Sequence, residues 1–132
     1  MGFLTNRTAE TSPDHAQPRL RGRTYAVPFE EVWQATLSLL QRRRRWQVTH
    51  VDDQEGVLRV EIPTLLGRSV RDFEIRITLD QDAQTRVDLS SASRKGLTDL
   101  GSNARRIARF LRKLDRVLLR NRKQRAAAQR AA

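Results

Sequence analysis

Apolar and polar positions follow two rhythms along this chain, and the switches between them mark out its elements. From Pro28 onward, Val32, Trp33, Thr36, Leu37 and Leu40 recur at one-turn spacing, which predicts a helix with one stripe toward a core. Pro28 opens it with a pre-set φ, Glu30 and Glu31 sit at the positive end of its dipole, and Arg42–Arg45 close it. The period then shortens to two. Trp46–Val51, Val57–Pro63, Val70–Leu79 and Thr85–Ser93 read as strands, with Leu58, Val60 and Ile62 on one face of the second and Val87 and Leu89 inward on the fourth. The third is clearest: Phe73, Ile75, Ile77 and Leu79 alternate with Asp72, Glu74, Arg76 and Thr78. The turns Asp52–Gly56 and Asp80–Gln84 are short enough to imply antiparallel neighbours. One polar face per strand implies a sheet covered on one side only. Arg23–Val27 adds a short first strand.

The helical rhythm returns after Asp99, a candidate N-cap, with Leu100, Ile107, Phe110, Leu111, Leu114 and Leu118 forming the stripe. It stops at Leu119, and Arg120–Ala132 holds no large apolar residue. A helix from Asp99 to about Arg125 would be about 40 Å long. It should overshoot a domain whose radius of gyration is about 13 Å and leave its last turns in solvent. The elements predict an α+β fold: an N-terminal helix, a four-stranded antiparallel meander with the short extra strand, and a long C-terminal helix packed on one sheet face. A helix-grip-like arrangement is the preferred form, and a flat two-layer sandwich the alternative. Residues 1–23 have no period and read as a flexible arm, 24–119 as a single α+β domain, and 120–132 as a basic, solvent-exposed helix end.

Charge sharpens this division. The net charge of +11 is distributed as +2 over Met1–Val27, −1 over Pro28–Ala104 and +10 over Arg105–Ala132. The body is neutral and the excess lies at one end, a localised field rather than a general surface property. The basic surface consists of Arg109, Arg112, Lys113, Arg116, Arg120, Arg122, Lys123 and Arg125. With no cysteine, disulfides and thiolate chemistry are excluded. No apolar run reaches the roughly 20 residues of a membrane span. Met1–Glu10 lacks the form of a signal peptide, and Asn6 breaks the myristoylation pattern. The expectation is a cytoplasmic protein that can attach peripherally to a membrane.

One block carries a resemblance. Ser91-Ala92-Ser93-Arg94-Lys95-Gly96-Leu97-Thr98-Asp99-Leu100-Gly101-Ser102-Asn103-Ala104-Arg105-Arg106-Ile107 resembles the signature of a bacterial domain-of-unknown-function family, number 1499, which reads S-x-S-R-x-G-x-x-D-x-G-x-N-x-x-R-[IV]. The likeness extends over about Thr24 to Leu118, with support from Val32-Trp33 and Val70-Arg71-Asp72-Phe73. Family members often begin with a Cys-Pro-x-Ser-Pro-Asn-Cys-Val-Ser segment and show Asp-Asp in the middle strand; this chain has no cysteine and reads Arg71-Asp72. The resemblance implies no activity. It makes Asp72, Ser91, Ser93, Arg94, Asp99, Gly101, Asn103 and Arg106 the candidate binding residues. The block also reads as a strand-to-helix junction, with Asp99 capping, Gly96 in a turn and Arg94 paired to Asp72 or Asp99. An anion site at the helix mouth is a further reading, opposed by the Asp99 carboxylate and by the lack of a Gly-Lys-Ser/Thr sequence. Gly101 is expected where the helix approaches a strand closely, and Asn103 is expected to bond strand backbone.

Catalytic chemistry finds no complete cast. His15 and His50 are the only histidines and have no metal-ligand spacing, so no metal or cofactor is expected. Ser91 or Ser93 could act as a nucleophile only with His50 alongside, and Glu61 and Glu74 are the one candidate carboxylate pair. Trp33 and Trp46 read as core anchors or as the lining of a helix-grip pocket, with Leu65 and Leu66 as its lid. The leading expectation is a non-enzymatic binding or accessory domain whose basic helix meets an anionic membrane surface or an acidic protein partner, with plain solubility of a long exposed helix as the competing reading of the same charges. A carrier of an apolar ligand is a second. A nucleic-acid binder without a reading motif or stacking aromatics beside its charges is a third.

Overall fold

The computed structural model describes residues 8–15, 17, 20–63, 69–93 and 101–131. Its elements are β1 (Thr8–Glu10), β2 (Arg23–Tyr25), α1 (Phe29–Gln41), β3 (Gln47–Asp52), β4 (Val57–Pro63), β5 (Val70–Leu79), β6 (Thr85–Ser93) and α2 (Ser102–Ala131). The fold is α+β, with a six-stranded antiparallel sheet and a long C-terminal helix. β3 to β6 pair consecutively, and β1 and β2 both pair with the free side of β6, at Ser90–Ala92 and Thr85–Val87 respectively. Two strands therefore precede the first helix, where one was expected. The periodless reading of residues 1–23 fails at Thr8–Glu10, and Leu20 is also a core residue. Three residues of strand are too few to leave a period; β1 is held by the ladder of β6 and by Thr11, whose amide donates to the Leu89 carbonyl at 2.8 Å.

Alternation decides which side of the sheet is covered. Leu58, Val60, Ile62, Phe73, Ile75, Ile77, Val87 and Leu89 are buried, while the opposite parity carries Arg59, Glu74 and Arg76 in an exposed ion-pair row. Leu79 keeps the apolar parity but is 60% exposed, because it lies at the end of β5, past the cover. α1 begins after Pro28 as its N-cap (φ −57°) rather than with Pro28 in its first turn, and ends with Arg42 as its C-cap. Its buried stripe is Val32, Trp33, Ala35, Thr36, Leu39 and Leu40, with Leu37 only half-buried. The stripe is wider than expected because α1 packs on both β5 and α2.

α2 supplies the rest of the cover through Ala104, Ile107, Ala108, Phe110, Leu111, Leu114 and Leu118. Phe110 stacks on Trp46 at 6.2 Å and meets Phe73 edge-on at 5.5 Å, while Trp46 also meets Phe73 at 5.4 Å. At 1.5 Å per residue a 30-residue helix is about 45 Å long. Past Leu118 it is almost wholly exposed. Two polar ties hold this half. The Tyr25 hydroxyl donates to Asp115 Oδ1 at 2.5 Å and Arg23 Nε donates to Oδ2 at 3.2 Å. Farther along, Arg125 forks onto both carboxylate oxygens of Glu31 in α1.

Gly56, at φ +73°, closes the β3–β4 turn, and its carbonyl accepts from the Ile77 amide at 2.7 Å. A Cβ there would lie 2.0 Å from the Ile77 carbonyl oxygen. Gly56→Ala is expected to cost at least about 2 kcal/mol in urea denaturation, from left-handed strain plus the clash. Burial, followed by the Asp115 hydrogen bond and charge, pushes the Tyr25 phenol far above its ordinary value of 10. The folded state thus favours the neutral phenol. Its stabilising effect is complete below the unfolded pKa and is lost as pH rises beyond about 10, by about 1.4 kcal/mol per unit. Alkaline titration of unfolding free energy should show this slope, and Tyr25→Phe should remove it.

Candidate functional site

The block Ser91–Ile107 spans the end of β6 and the start of α2, so its residues converge where the helix mounts the sheet. Ser91 and Ser93 share one parity of β6, opposite Phe73 and Arg71 of β5, and this parity faces α2. Ser91 is fully buried, and its hydroxyl donates to Asn103 Oδ1 at 2.6 Å. Asn103, 1% exposed, donates from Nδ2 to Ser93 Oγ at 3.3 Å and accepts from Arg106 Nη1 at 3.1 Å. Asn103 therefore meets the strand through serine hydroxyls, where backbone was expected. Four of the candidate residues form one satisfied network that sets the start of α2 over β6.

Asp72 does not join it. It pairs with Ala92 and Glu61 on the opposite parity and is exposed on the open face of the sheet. Arg94, Asp99, Gly96, Leu65 and Leu66 lie outside the described residues, so the expected Asp99 cap and Arg94 pairing lie there too. Gly101 precedes the helix instead of occupying its first turn. Its φ is +86°, and a Cβ on it would meet nothing nearer than Arg105 Nη1 at 3.8 Å. Left-handed backbone, not close approach to a strand, is what asks for glycine here.

The sheet order separates the remaining catalytic combination. His50 on β3 is three strands from β6, about 14 Å at roughly 4.8 Å per strand, so it cannot act as base for Ser91 or Ser93. Glu74 is engaged by Arg59 and Arg76 rather than coupled to Glu61 as an acid–base pair. Among the described residues, no three His, Asp or Glu side chains come together as metal ligands.

The second concentration of chemistry is the cationic side of α2. Arg109, Arg112, Arg116, Arg120, Arg122 and Lys123 are exposed, and Lys113 is half-buried. None of the seven has a carboxylate partner among the described residues. Asp115, the one acid of α2, is turned toward Tyr25 and Arg23, and only Arg125 of the basic surface is paired. Where α2 passes the end of α1, Arg42 and Arg43 join Lys113, Arg116 and Arg120 around a groove of about 560 Å³ with Leu39 and Val117 in its lining. Arg43 is held over the Trp46 ring, 5.0 Å from its centroid. Burial, then the positive charges of Arg43, Arg109 and Arg116, lower the Lys113 pKa. Sequence reasoning treated Arg42–Arg45 only as a solvated helix end. Four consecutive arginines were a signal, but the α2 residues that Arg42 and Arg43 meet begin at Lys113, far along the chain.

Residues 4–114 match the family described as "Protein of unknown function (DUF1499)". The chain belongs to this family. No curated protein matches it. The DUF1499 match starts well before Thr24, in keeping with β1 being part of the fold. It ends at residue 114, so Arg116, Arg120, Arg122, Lys123 and Arg125 lie beyond it. Among the described residues, no helix is long and apolar enough to cross a membrane.

Asn103→Ala would leave the buried Ser91 hydroxyl without its acceptor and Arg106 short of one. A loss of about 2 kcal/mol in denaturant unfolding is expected. Gly101→Ala should cost about 1 kcal/mol in the same measurement, where a helix-interior glycine would give a gain.

Proposed function

We propose that this DUF1499 chain is a non-enzymatic binding or accessory domain that docks through the basic side of α2 onto an anionic membrane surface. The observation carrying this reading is the row of seven cations with no carboxylate partner among the described residues, on a helix whose packing stripe ends before its charge does. Crowding like charges in this way weakens a fold unless an outside anion relieves it. Each basic residue near an anionic bilayer contributes about 1 kcal/mol, so such a row is enough for reversible attachment. Leu119, 52% exposed between Arg116, Arg120 and Lys123, gives the face a small apolar contact as well. A cytoplasmic location would suit this role, since that leaflet carries the negative surface potential.

An acidic protein partner uses the same charges and is the neighbouring alternative. Nucleic acid is less well supported, because Trp46 is engaged with Arg43, Phe73 and Phe110 and is not free to stack on bases. The same aromatic trio occupies the space between sheet and α2 where a helix-grip carrier would hold an apolar ligand.

Vesicle flotation tests the proposal. Binding to phosphatidylglycerol-containing vesicles, none to neutral ones, and release at high salt are expected. The triple change Arg120→Gln, Arg122→Gln, Lys123→Gln should weaken binding about a hundredfold. Failure to float with anionic vesicles in low salt, together with capture by an acidic polypeptide, would move the role to a protein partner.

A further inference from the structure

The groove between the end of α1 and the middle of α2 differs from the rest of the cationic surface. Elsewhere the cations lie along α2 alone or, like Arg122 and Arg125, share a concavity with the Asp115 carboxylate. Here Arg42, Arg43, Lys113, Arg116 and Arg120 converge from two elements around one concavity, and no carboxylate is among its described lining residues. The C-terminal carbonyls of α1 would by themselves repel an anion, but Arg42–Arg45 follow immediately and reverse the local sign. Arg43 is already fixed over Trp46, so little ordering remains to be done when an anion arrives. The volume, about 560 Å³, is much larger than one phosphate requires, and the remaining lining, Leu39 and Val117, is apolar.

We propose that this groove seats the dianionic phosphate-monoester headgroup of a lipid, with the glycerol backbone and first methylenes lying on Leu39 and Val117. A monoester phosphate carries about −1.5 to −2 charges near neutrality and three acceptor oxygens, so one group can satisfy donors from both helices. A singly charged diester would leave more of the repulsion within the cluster in place. Burial first, then the charges of Arg43, Arg109 and Arg116, lower the Lys113 pKa, and an anion seated in the groove would relieve the charge repulsion. The assignment rests on the membrane reading above and narrows it from bulk charge to one headgroup chemistry.

Flotation with phosphatidic acid vesicles, against phosphatidylglycerol vesicles matched for total surface charge, separates the two levels. Preferential binding to phosphatidic acid is expected. Arg43→Gln with Lys113→Gln should weaken phosphatidic acid binding about 30-fold and abolish the preference. Arg122→Gln with Lys123→Gln removes the same charge outside the groove; it should weaken both vesicle types alike and keep the preference. A second readout uses the wild-type chain. Dihexanoyl phosphatidic acid should protect Lys113 from acetic anhydride relative to Lys123, and inorganic phosphate at equal concentration should protect it less. Equal binding to the charge-matched vesicles, or equal losses from both variant pairs, would overturn the groove assignment while leaving the docking role standing. No binding to either anionic vesicle would overturn the docking role itself. Equal protection of Lys113 by phosphate and by the short lipid would reassign the groove to soluble phosphate compounds.

Discussion

The structure depends on one contact surface: the apolar stripe of α2, from Ala104 to Leu118, laid on the covered face of the sheet. The strands of the sheet have a solvated outer face and cannot form a core alone, so without this stripe Phe73, Ile75 and Leu89 would be exposed to water. Burial is non-directional, however, and does not by itself fix where the helix points. Direction comes from polar contacts at intervals along it. The Ser91–Asn103–Arg106 network sets the start, Asp115 with Tyr25 and Arg23 sets the middle, and Arg125 on Glu31 ties the exposed half to α1. The first is buried and geometrically exacting. The last is exposed and is worth little as energy, but it restrains a stretch of helix that is otherwise largely exposed.

This placement explains the electrostatics of the far side. The single carboxylate on α2 is used inward, and among the described residues Glu31 is the body's carboxylate that pairs with the exposed half. Arg109, Arg112, Arg116, Arg120, Arg122 and Lys123 are exposed and have no carboxylate partner among the described residues. Where the end of α1 comes alongside, burial and then the charges of Arg43, Arg109 and Arg116 lower the Lys113 pKa.

Much of the fold was legible in the alternation of residues, because β4, β5 and β6 are long enough to show a period and are covered on one side. β1 was not, since three residues cannot display a rhythm and it is held by its pairing to β6, whereas β2 falls within the short strand expected at Arg23–Val27. The parity of β5 already contained the answer for Asp72: with Phe73 inward, its neighbour must face out, away from the serines of β6. The convergence of Ser91, Ser93, Asn103 and Arg106 was readable as a block, though the hydroxyl partners of Asn103 were not. The groove was illegible because it arises from the relative placement of α1 and α2, which no local pattern records.

The family match stops at residue 114, yet α2 runs on to Ala131 without a break. No hinge decouples the part of the helix that packs from the part that carries the unpaired charge. Helical phase is therefore conserved across the join. Each residue inserted or deleted between Leu114 and Arg120 would swing the cationic face by about 100° about the axis and carry Arg125 away from Glu31. A change of about seven residues would nearly restore the bearing. In this chain the length of the connection, as much as its composition, specifies which way the charge looks.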